Sequence, residues 1–143
     1  MSEVRPIENL DKRLHPLVRK AISVRKRAHA PYSKYLVGAA IGDGKGKIHS
    51  GCNVENASYG ASICAERAAV GKMVSRGSKD IRVIVVVASS DDPVFPCGMC
   101  LQVIQEFGPR ARVIALNSRG TIYREAMMSE LFPSAFSPEK LRG

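Results

Sequence analysis

Residues 81–88 read Ile81-Arg82-Val83-Ile84-Val85-Val86-Val87-Ala88, so nearly all of this segment is β-branched. Branching at Cβ favours the extended backbone of a strand, and an apolar run without alternation is typical of a strand buried on both faces. A sheet that is covered on both sides requires helices above and below it. We therefore predict an α/β fold with three layers, α/β/α, built around this central strand.

The rest of the chain supplies the further elements of such a fold. Apolar periodicity, turn residues and β-branched segments predict helices over residues 14–28, 64–77 and 97–107, and further strands over 35–41, 47–52, 112–116 and 121–124. Strands that alternate with helices form a mixed sheet, here of five strands, with its ligands at the carboxyl ends of the strands. A length of 143 residues suits one domain, and we expect residues 1–143 to form it.

Three of the four cysteines and one glutamate form a pattern with metal chemistry. Cys97 and Cys100 are one helical turn apart, close enough to bind one zinc ion at about 2.3 Å. Cys64 supplies a third thiolate, which leaves one coordination position for water, as in catalytic zinc sites. Glu66 stands two residues after Cys64 and is the candidate acid/base for that water. Because residues i and i+2 of a helix point about 200° apart, Cys64 is expected at the cap or in the first turn.

Other uses of these residues are open at this point. Four cysteines allow two disulfides, or a structural zinc site that also uses Cys52 in a nucleic-acid-binding module. A carboxylate such as Glu66 in the first turn of a helix also stabilises the helix dipole. No apolar run reaches the roughly 18 to 20 residues of a membrane span, and residues 1–20 lack the apolar core of a signal peptide. We therefore expect a cytoplasmic protein without a membrane partner, in which metal binding is favoured over disulfides.

A net charge of +9 raises the question of an anionic partner. Seven basic residues lie between Lys12 and Arg27, with no acidic residue among them, and such a stripe could follow the phosphates of a nucleic acid. The apolar residues of the same segment recur at three- and four-residue steps, at Leu14, Leu17, Ala21, Val24 and Ala28. The basic residues therefore fall largely on the opposite side of a helix. We expect a solvated basic face and no nucleic-acid partner.

Five segments of the chain follow one another in an order known from one enzyme family. They are Pro31-Tyr32-Ser33-Lys34-Tyr35-Leu36-Val37-Gly38, Gly51-Cys52-Asn53-Val54-Glu55-Asn56-Ala57, Cys64-Ala65-Glu66-Arg67, Pro96-Cys97-Gly98-Met99-Cys100 and Leu131-Phe132-Pro133-Ser134-Ala135-Phe136-Ser137-Pro138-Glu139. Together they resemble the small cytidine deaminases with a three-cysteine zinc site, in the cytidine/deoxycytidylate deaminase superfamily. The resemblance extends from about residue 12 to the C-terminus.

This resemblance implies an enzyme that hydrolyses the C4 amino group of a pyrimidine nucleoside. Its substrates would be cytidine and 2′-deoxycytidine, its products ammonia and uridine or 2′-deoxyuridine, and its role pyrimidine salvage. One zinc ion per subunit would be held by Cys64, Cys97 and Cys100. Glu66 would take a proton from the attacking water and pass protons to N3 and to the leaving amine.

The resemblance also assigns residues to the substrate. Asn53 and Glu55 correspond to the pair that holds the ribose 3′-hydroxyl, and in an extended Asn-Val-Glu segment Val54 is then expected to point into the protein. Tyr35 stands where the family usually has a phenylalanine that faces the pyrimidine. Phe136 corresponds to an aromatic residue supplied by an adjacent subunit, so the family implies a homotetramer with shared active sites.

Further assignments concern the base and the surroundings of the zinc ligands. Ala65 and Phe95 are expected at the substrate, where the carbonyl of Phe95 can accept from the exocyclic amine. Arg67 and Gln102 are expected beside the ligands, and the Arg67 guanidinium offsets the formal charge of −1 that three thiolates and Zn²⁺ carry together.

Two positions depart from the family, and several assignments have simpler alternatives. Leu101 follows the Cys-x-x-Cys pair where the family usually has an arginine, and Phe95 stands where it often has a small residue. Asn53 and Glu55 also fit an Asx-turn and a surface acid, whereas Tyr35 and Phe136 also fit a core. A deaminase of another aminopyrimidine nucleoside, or of cytosine in a polynucleotide with the basic stripe as its footprint, is the alternative function.

Overall fold

The computed structural model describes residues 2–142. Its helices are α1 (His15–Arg25), α2 (Ala65–Ser75), α3 (Gly98–Phe107), α4 (Met128–Leu131) and α5 (Pro138–Leu141). Its strands are β1 (Arg5–Pro6), β2 (Val37–Asp43), β3 (Ile48–Cys52), β4 (Ile81–Ala88), β5 (Arg112–Leu116) and β6 (Ile122–Met127). Within residues 2–142 we find no helix with the length and apolar character of a membrane span.

The strands form one mixed sheet in the order β1-β6-β5-β4-β2-β3. The neighbours β4 and β5 run parallel, and the other neighbouring pairs are antiparallel. The sheet therefore has six strands, and the prediction of five was wrong by one. The missed strand, β1, pairs its two residues with Tyr123 and Ile122 of β6. Two residues carry no periodicity, and a proline is tolerated at a sheet edge, so the local sequence gives no sign of this strand.

The two faces of the sheet are covered by different helices, which confirms the predicted three layers. On one face, Val83, Val85 and Val87 of β4 pack with the buried side of α1. On the other face, Ile84 and Val86 pack with residues of α2 and α3. The side chains of a strand alternate between its faces, so a nearly continuous apolar run is what a strand between two helical layers requires.

The predicted boundaries agree best where the sequence pattern is strongest. The strands predicted over 81–88 and 112–116 are those observed, whereas the strand predicted over 35–41 begins at Val37 and ends at Asp43. The strand predicted over 121–124 runs from Ile122 to Met127. The basic residues of the first helix are exposed as predicted, with the exception of Arg25, which is half-buried.

Helix α2 approaches the sheet unusually closely at Gly51 of β3. A Cβ atom at this position would lie 2.5 Å from the backbone nitrogen of Ala69 and 2.8 Å from the carbonyl oxygen of Ala65. Only a residue without a side chain allows this separation, and real Cβ atoms essentially never show such distances. The first turn of α2 is therefore fixed against β3, which sets the position of the residues at its N-terminus.

Candidate active site

Two helices begin at neighbouring points on one side of the sheet, and each is preceded by a cysteine. Cys64 is the N-cap of α2 and Cys97 the N-cap of α3, both with an extended backbone. Cys100 lies in the first turn of α3, and Glu66 lies in the first turn of α2. The structure thus confirms that Cys64 occupies a helix cap, and a thiolate there is stabilised by the positive end of the helix dipole.

The three thiols converge on one point. The Sγ atoms of Cys64, Cys97 and Cys100 all lie within 4.8 Å of one another. Sulfur atoms around a tetrahedral zinc ion at about 2.3 Å are themselves about 3.8 Å apart, so this donor set fits zinc with little rearrangement. Cys100 is buried, Cys64 is half-buried and Cys97 is exposed, which leaves the group open on one side. The fourth cysteine, Cys52, does not belong to this group.

The thiols influence each other's ionisation. A hydrogen bond with Cys100, assisted by the guanidinium of Arg67, lowers the pKa of the Cys64 thiol to about 5. The same hydrogen bond, together with burial, raises the pKa of Cys100. Cys64 is therefore the thiolate of the pair before any metal binds, and a cation that replaces the shared proton would hold both sulfurs as thiolates.

Arg67 is aimed at the cysteine group. Its Nη2 lies 3.8 Å from the Sγ of Cys64 and 3.1 Å from the carbonyl oxygen of Ser62, to which it donates. Its Nε is buried and has no hydrogen-bond partner among residues 2–142. The contact with Cys64 raises the pKa of the guanidinium, which is therefore a permanent positive charge beside the sulfurs.

Glu66 is the buried carboxyl group of the site, with 6% of its surface exposed. Burial raises the pKa of Glu66, and the negative charge of Cys64 raises it further. A carboxyl group with a raised pKa can both accept and return a proton near neutral pH, which is the property required of an acid/base catalyst.

Cys64, Cys97 and Glu66 line a cavity of about 690 Å³, and the buried Cys100 lies beside the two lining cysteines. Five residues that the sequence assigned to a substrate line this cavity, namely Tyr35, Asn53, Glu55, Ala65 and Phe95. The structure adds an apolar wall and rim that sequence reasoning missed, formed by Val37, Ile63, Val86, Ala88, Val94 and Met99. Val86 and Ala88 stand at the carboxyl end of β4, so the cavity lies where ligands of such sheets are expected.

The side chains of Asn53 and Glu55 are held by backbone groups of the cavity wall. The amide of Asn53 accepts from the N–H of Val37 at 2.8 Å and donates to the carbonyl of Tyr35 at 2.7 Å. The carboxylate of Glu55 accepts from the N–H groups of Tyr32 and Ser33, at 3.0 and 3.1 Å, and from the Ser33 hydroxyl. The hydrogen bond from Ser33 lowers the pKa of Glu55.

One expectation for this segment was wrong. Val54 was expected to point into the protein, but it is 47% exposed. The segment is not part of a regular strand, since Val54 forms isolated bridges with His29 and Ile63, and simple alternation therefore does not apply.

Tyr35 closes one side of the cavity and is 38% exposed. Burial of the phenol raises its pKa, and the charge of Glu66 contributes to the same shift. Tyr35 and the Glu66 carboxyl group therefore line the same cavity.

Comparison with known proteins agrees with this geometry. Residues 11–116 match the family model described as the cytidine and deoxycytidylate deaminase zinc-binding region, which covers most of the chain and all three clustered cysteines. The chain belongs to this deaminase family. It is 42% identical over 125 residues to a cytidine deaminase of Halalkalibacterium halodurans, an alignment that covers 87% of this chain and 95% of that protein.

Other members of the deaminase family extend the likeness. A cytidine deaminase of Sporosarcina psychrophila is 43% identical over 126 residues, or 87% of this chain and 92% of that protein. The crystal structure of cytidine deaminase from Burkholderia pseudomallei superposes with a TM-score of 0.80 at 42% identity, and the match covers 85% of this chain and 98% of that one. The three-layer fold is therefore that of cytidine deaminases.

Two residues assigned to the deaminase site lie away from the cavity. Phe136 is 54% exposed and is not among the lining residues within 2–142. Gln102 is half-buried on α3, and its Nε2 donates to the carbonyl of Phe136 at 3.1 Å. The structure thus connects these two residues to each other, and it holds Phe136 at the protein surface.

The departure at Leu101 also has a place in the structure. Leu101 is 8% exposed and belongs to the core between the sheet and helices α2 and α3. An apolar side chain is therefore well accommodated there, and Arg67 is the basic side chain that lines the cavity within the described residues.

Proposed function

We propose that the protein catalyses the zinc-dependent hydrolytic deamination of cytidine and 2′-deoxycytidine, with uridine or 2′-deoxyuridine and ammonia as products. The observation that carries this proposal is a cluster of three thiols, two of which line one cavity together with a buried carboxyl group. A structural zinc site of four cysteines would leave Glu66 without a role and would require Cys52, which is not part of the cluster.

The residues present fit a zinc ion. Cys64, Cys97 and Cys100 would hold it, and Arg67 would offset the excess negative charge of three thiolates. Three protein ligands leave a coordination position free, which distinguishes catalytic zinc sites from structural ones. When bound, zinc supplies Lewis acidity that makes water a nucleophile near neutral pH.

Glu66 would move the protons of the reaction. The oxygen of water bonds to C4 of the pyrimidine while the Glu66 carboxylate takes one proton and passes it to N3. The second proton then goes to the exocyclic nitrogen, the C4–N4 bond breaks and ammonia leaves, so that C4 becomes a carbonyl. Burial of Glu66 supports this role, because a raised pKa makes the carboxyl group a better proton carrier than an exposed one.

The remaining lining residues would bind the nucleoside. Tyr35 would face the base, and the backbone at Ala65 and Phe95 would contact its polar edge, with the Phe95 carbonyl accepting from the amino group. Glu55 would accept from the ribose 3′-hydroxyl, and Asn53 would support the wall on which Tyr35 stands. An apolar cavity with few polar groups is the usual form of a site for a small planar ligand.

The first experiment follows ammonia release and the loss of cytidine absorbance with three substrates: cytidine, 2′-deoxycytidine and a cytosine-containing oligonucleotide. We expect turnover of both nucleosides, and a loss of at least about 10³-fold in kcat for Glu66→Gln with zinc content unchanged. Activity on the oligonucleotide alone would contradict the proposal and assign the basic face of α1 to a polynucleotide. Full activity in Glu66→Gln would contradict the assigned mechanism.

We further propose that the active enzyme is a homotetramer in which Phe136 enters the cavity of a neighbouring subunit. The exposed ring of Phe136 and the apolar rim of the cavity support this proposal, since both leave apolar surface uncovered in one chain. Sedimentation measures the oligomeric state directly. Co-expression of Glu66→Gln with Phe136→Ala tests the sharing: a mixed oligomer contains sites with an intact Glu66 and an intact Phe136, so its activity should exceed the mean of the two parents' activities. Activity no higher than the parents' mean would contradict shared sites.

A further inference from the structure

One basic residue of the first helix is not solvated. Arg25, near the end of α1, is half-buried, and its guanidinium donates to three oxygen atoms on separate segments. Nε lies 3.2 Å from the carbonyl oxygen of Leu36, Nη1 3.0 Å from that of Ser118, and Nη2 2.9 Å from the hydroxyl of Ser89. None of these acceptors is charged. The contacts therefore use the forked geometry of the guanidinium and not an ion pair.

The three acceptors lie at the ends of three neighbouring strands of the sheet. Leu36 immediately precedes β2, Ser89 immediately follows β4, and Ser118 lies just beyond β5. Ser89 adds to the arrangement, because its hydroxyl accepts from the N–H of Leu36 at 3.1 Å and lies 3.2 Å from the Leu36 carbonyl oxygen. Both polar groups of Leu36 are thus held by Arg25 and Ser89 together.

The residues on either side of Leu36 form the cavity wall. Tyr35 and Val37 both line the cavity, as does Ala88, the neighbour of Ser89. The Asn53 amide, which also lines the cavity, binds the Tyr35 carbonyl and the Val37 N–H. The wall segment 35–37 is therefore held by two groups, by Asn53, which lines the cavity, and by the Arg25–Ser89 pair, which does not.

The packing of α1 brings Arg25 within reach of this segment. At Gly38 of β2 a Cβ atom would lie 2.2 Å from the carbonyl oxygen of Ala21 and 2.8 Å from the Cβ of Arg25. Helix and strand therefore meet at backbone distance only two residues from Leu36, and the arginine side chain can extend over the end of β2. A longer separation would carry the guanidinium away from all three acceptors.

We propose that Arg25 is a positioning residue for the deamination reaction: with Ser89 it clamps Leu36 and so fixes the wall formed by Tyr35 and Val37 against which the base binds. The inference rests on the proposed function for its substrate, but the clamp itself is a property of the chain. Arg25 touches neither the reacting atoms nor the cysteine group.

The test compares Arg25→Met with Arg19→Met, an exposed arginine of the same helix, and with Arg25→Lys. In Arg25→Met we expect KM for cytidine to rise about tenfold, because the wall that binds the base is less well fixed. We expect kcat to change less than about threefold, because the substitution does not contact Glu66 or the thiols. Arg19→Met should keep wild-type constants. Lysine keeps the charge but cannot reach three acceptors, so Arg25→Lys should behave as Arg25→Met.

Several results would overturn the clamp. The first is a folded Arg25→Met variant with wild-type KM, and the second is a joint loss of kcat and bound zinc in that variant. The third is an Arg25→Lys variant with wild-type constants, because this result would assign the effect to the charge of Arg25 and not to its three hydrogen bonds. If Arg25→Met fails to fold, Ser89→Ala decides, since it removes the hydroxyl that holds Leu36: its KM should rise, and an unchanged KM contradicts the proposal.

Amide hydrogen exchange measures how firmly residues 36 and 37 are held, independently of activity. The N–H groups of Leu36 and Val37 should exchange about tenfold faster in Arg25→Met than in Arg19→Met. If the wild-type protein has no activity on cytidine while this acceleration is seen, the proposed function fails and the clamp stands. If cytidine is turned over and exchange is unchanged, the clamp fails and the proposed function stands.

Discussion

The Nη2 of Arg67 lies 3.8 Å from the Sγ of Cys64, on the helix turn that follows this cysteine. Three thiolates on one divalent ion leave a formal charge of −1, which weakens the ion as a Lewis acid. Leu101 stands where the family usually has a second arginine, and it is buried in the core. Arg67 is therefore the basic side chain of the described residues that lines the cavity and reaches the sulfurs.

Arg67→Gln should weaken zinc binding by about tenfold, because a group that supports a metal ligand typically contributes this much to affinity. Competition with a chromophoric chelator measures the change without reference to activity. The control is Lys72→Gln, an exposed residue of the same helix. Equal zinc affinity in the two variants would show that Arg67 does not stabilise the thiolates.

Gly51→Ala should reduce both stability and activity. The new methyl group would overlap the backbone of α2 at Ala65 and Ala69, so the helix that carries Glu66 must shift. Overpacking of this kind costs about 1 to 3 kcal/mol. Gly71→Ala is the matched control on the exposed face of the same helix, where nothing lies within 4 Å, and it should stabilise by up to about 1 kcal/mol. Thermal unfolding measures the stability of both variants. A Gly51→Ala variant with full activity and full stability would contradict the close approach of α2 to β3.

A buried polar cluster at the far end of α2 supports the β2–β3 hairpin. Asp43 and His49 are both buried, and the Nε2 of His49 lies 2.8 Å from the Asp43 carboxylate. Because Arg76 donates to the Nδ1 of His49, that nitrogen must accept, and Nε2 therefore donates to Asp43. The N–H groups of Lys45 and Lys47 donate to the same carboxylate, both at 2.9 Å. The hydrogen bond from His49 holds the pKa of Asp43 well below its usual range.

Asp43→Asn should destabilise the protein by about 2 to 3 kcal/mol at neutral pH, since the new amide NH2 group would face donors in either orientation, His49 in one and the N–H groups of Lys45 and Lys47 in the other. A carboxyl group with a lowered folded-state pKa contributes stability above its unfolded-state pKa, near 4, and loses it as the pH falls through the folded value. The difference in free energy of unfolding between wild type and variant should therefore be largest at neutral pH and shrink below about pH 4. Denaturant unfolding across this range checks the prediction, and a pH-independent difference contradicts it.

The sequence sufficed where chemistry or periodicity is local. The run over residues 81–88 gave the bounds of the central strand, because two buried faces require an unbroken apolar segment. The position of Cys64 at a helix cap followed from the geometry that Glu66 requires, and that of Cys97 followed from the helical segment predicted over 97–107. The spacing of residues within one helical turn depends only on neighbouring positions, so it can be predicted from the sequence alone.

Features that depend on distant segments were not predictable in this way. Arg25 was assigned to a solvated basic face, but its partners Leu36, Ser89 and Ser118 meet it only after the sheet has formed. The side-chain amide of Asn53 was assigned to the substrate, and its bonds to two backbone groups of the cavity wall appear only in three dimensions. Helical periodicity indicates which side of α1 is apolar. It does not indicate which polar side chain of the helix forms hydrogen bonds with buried acceptors.

Glu55 offers the sharpest test of substrate recognition. Its carboxylate is anchored by the N–H groups of Tyr32 and Ser33, and the lowered pKa keeps it ionised at neutral pH. Glu55→Gln preserves shape, and the amide can keep these anchors through its oxygen, while the charged acceptor that we propose for a sugar hydroxyl is lost. We expect KM to rise about tenfold for cytidine and for 2′-deoxycytidine.

The comparison with 3′-deoxycytidine separates recognition from a structural effect. This nucleoside lacks the hydroxyl that Glu55 is assigned to bind, so wild type and Glu55→Gln should have the same KM for it. A variant whose KM rises equally for all three nucleosides has instead disturbed the segment that carries Ser33. Ser33→Ala is the control for that outcome, because it removes one anchor of the carboxylate and leaves its charge in place. Selective loss with the two substrates that carry a 3′-hydroxyl assigns Glu55 to the ribose.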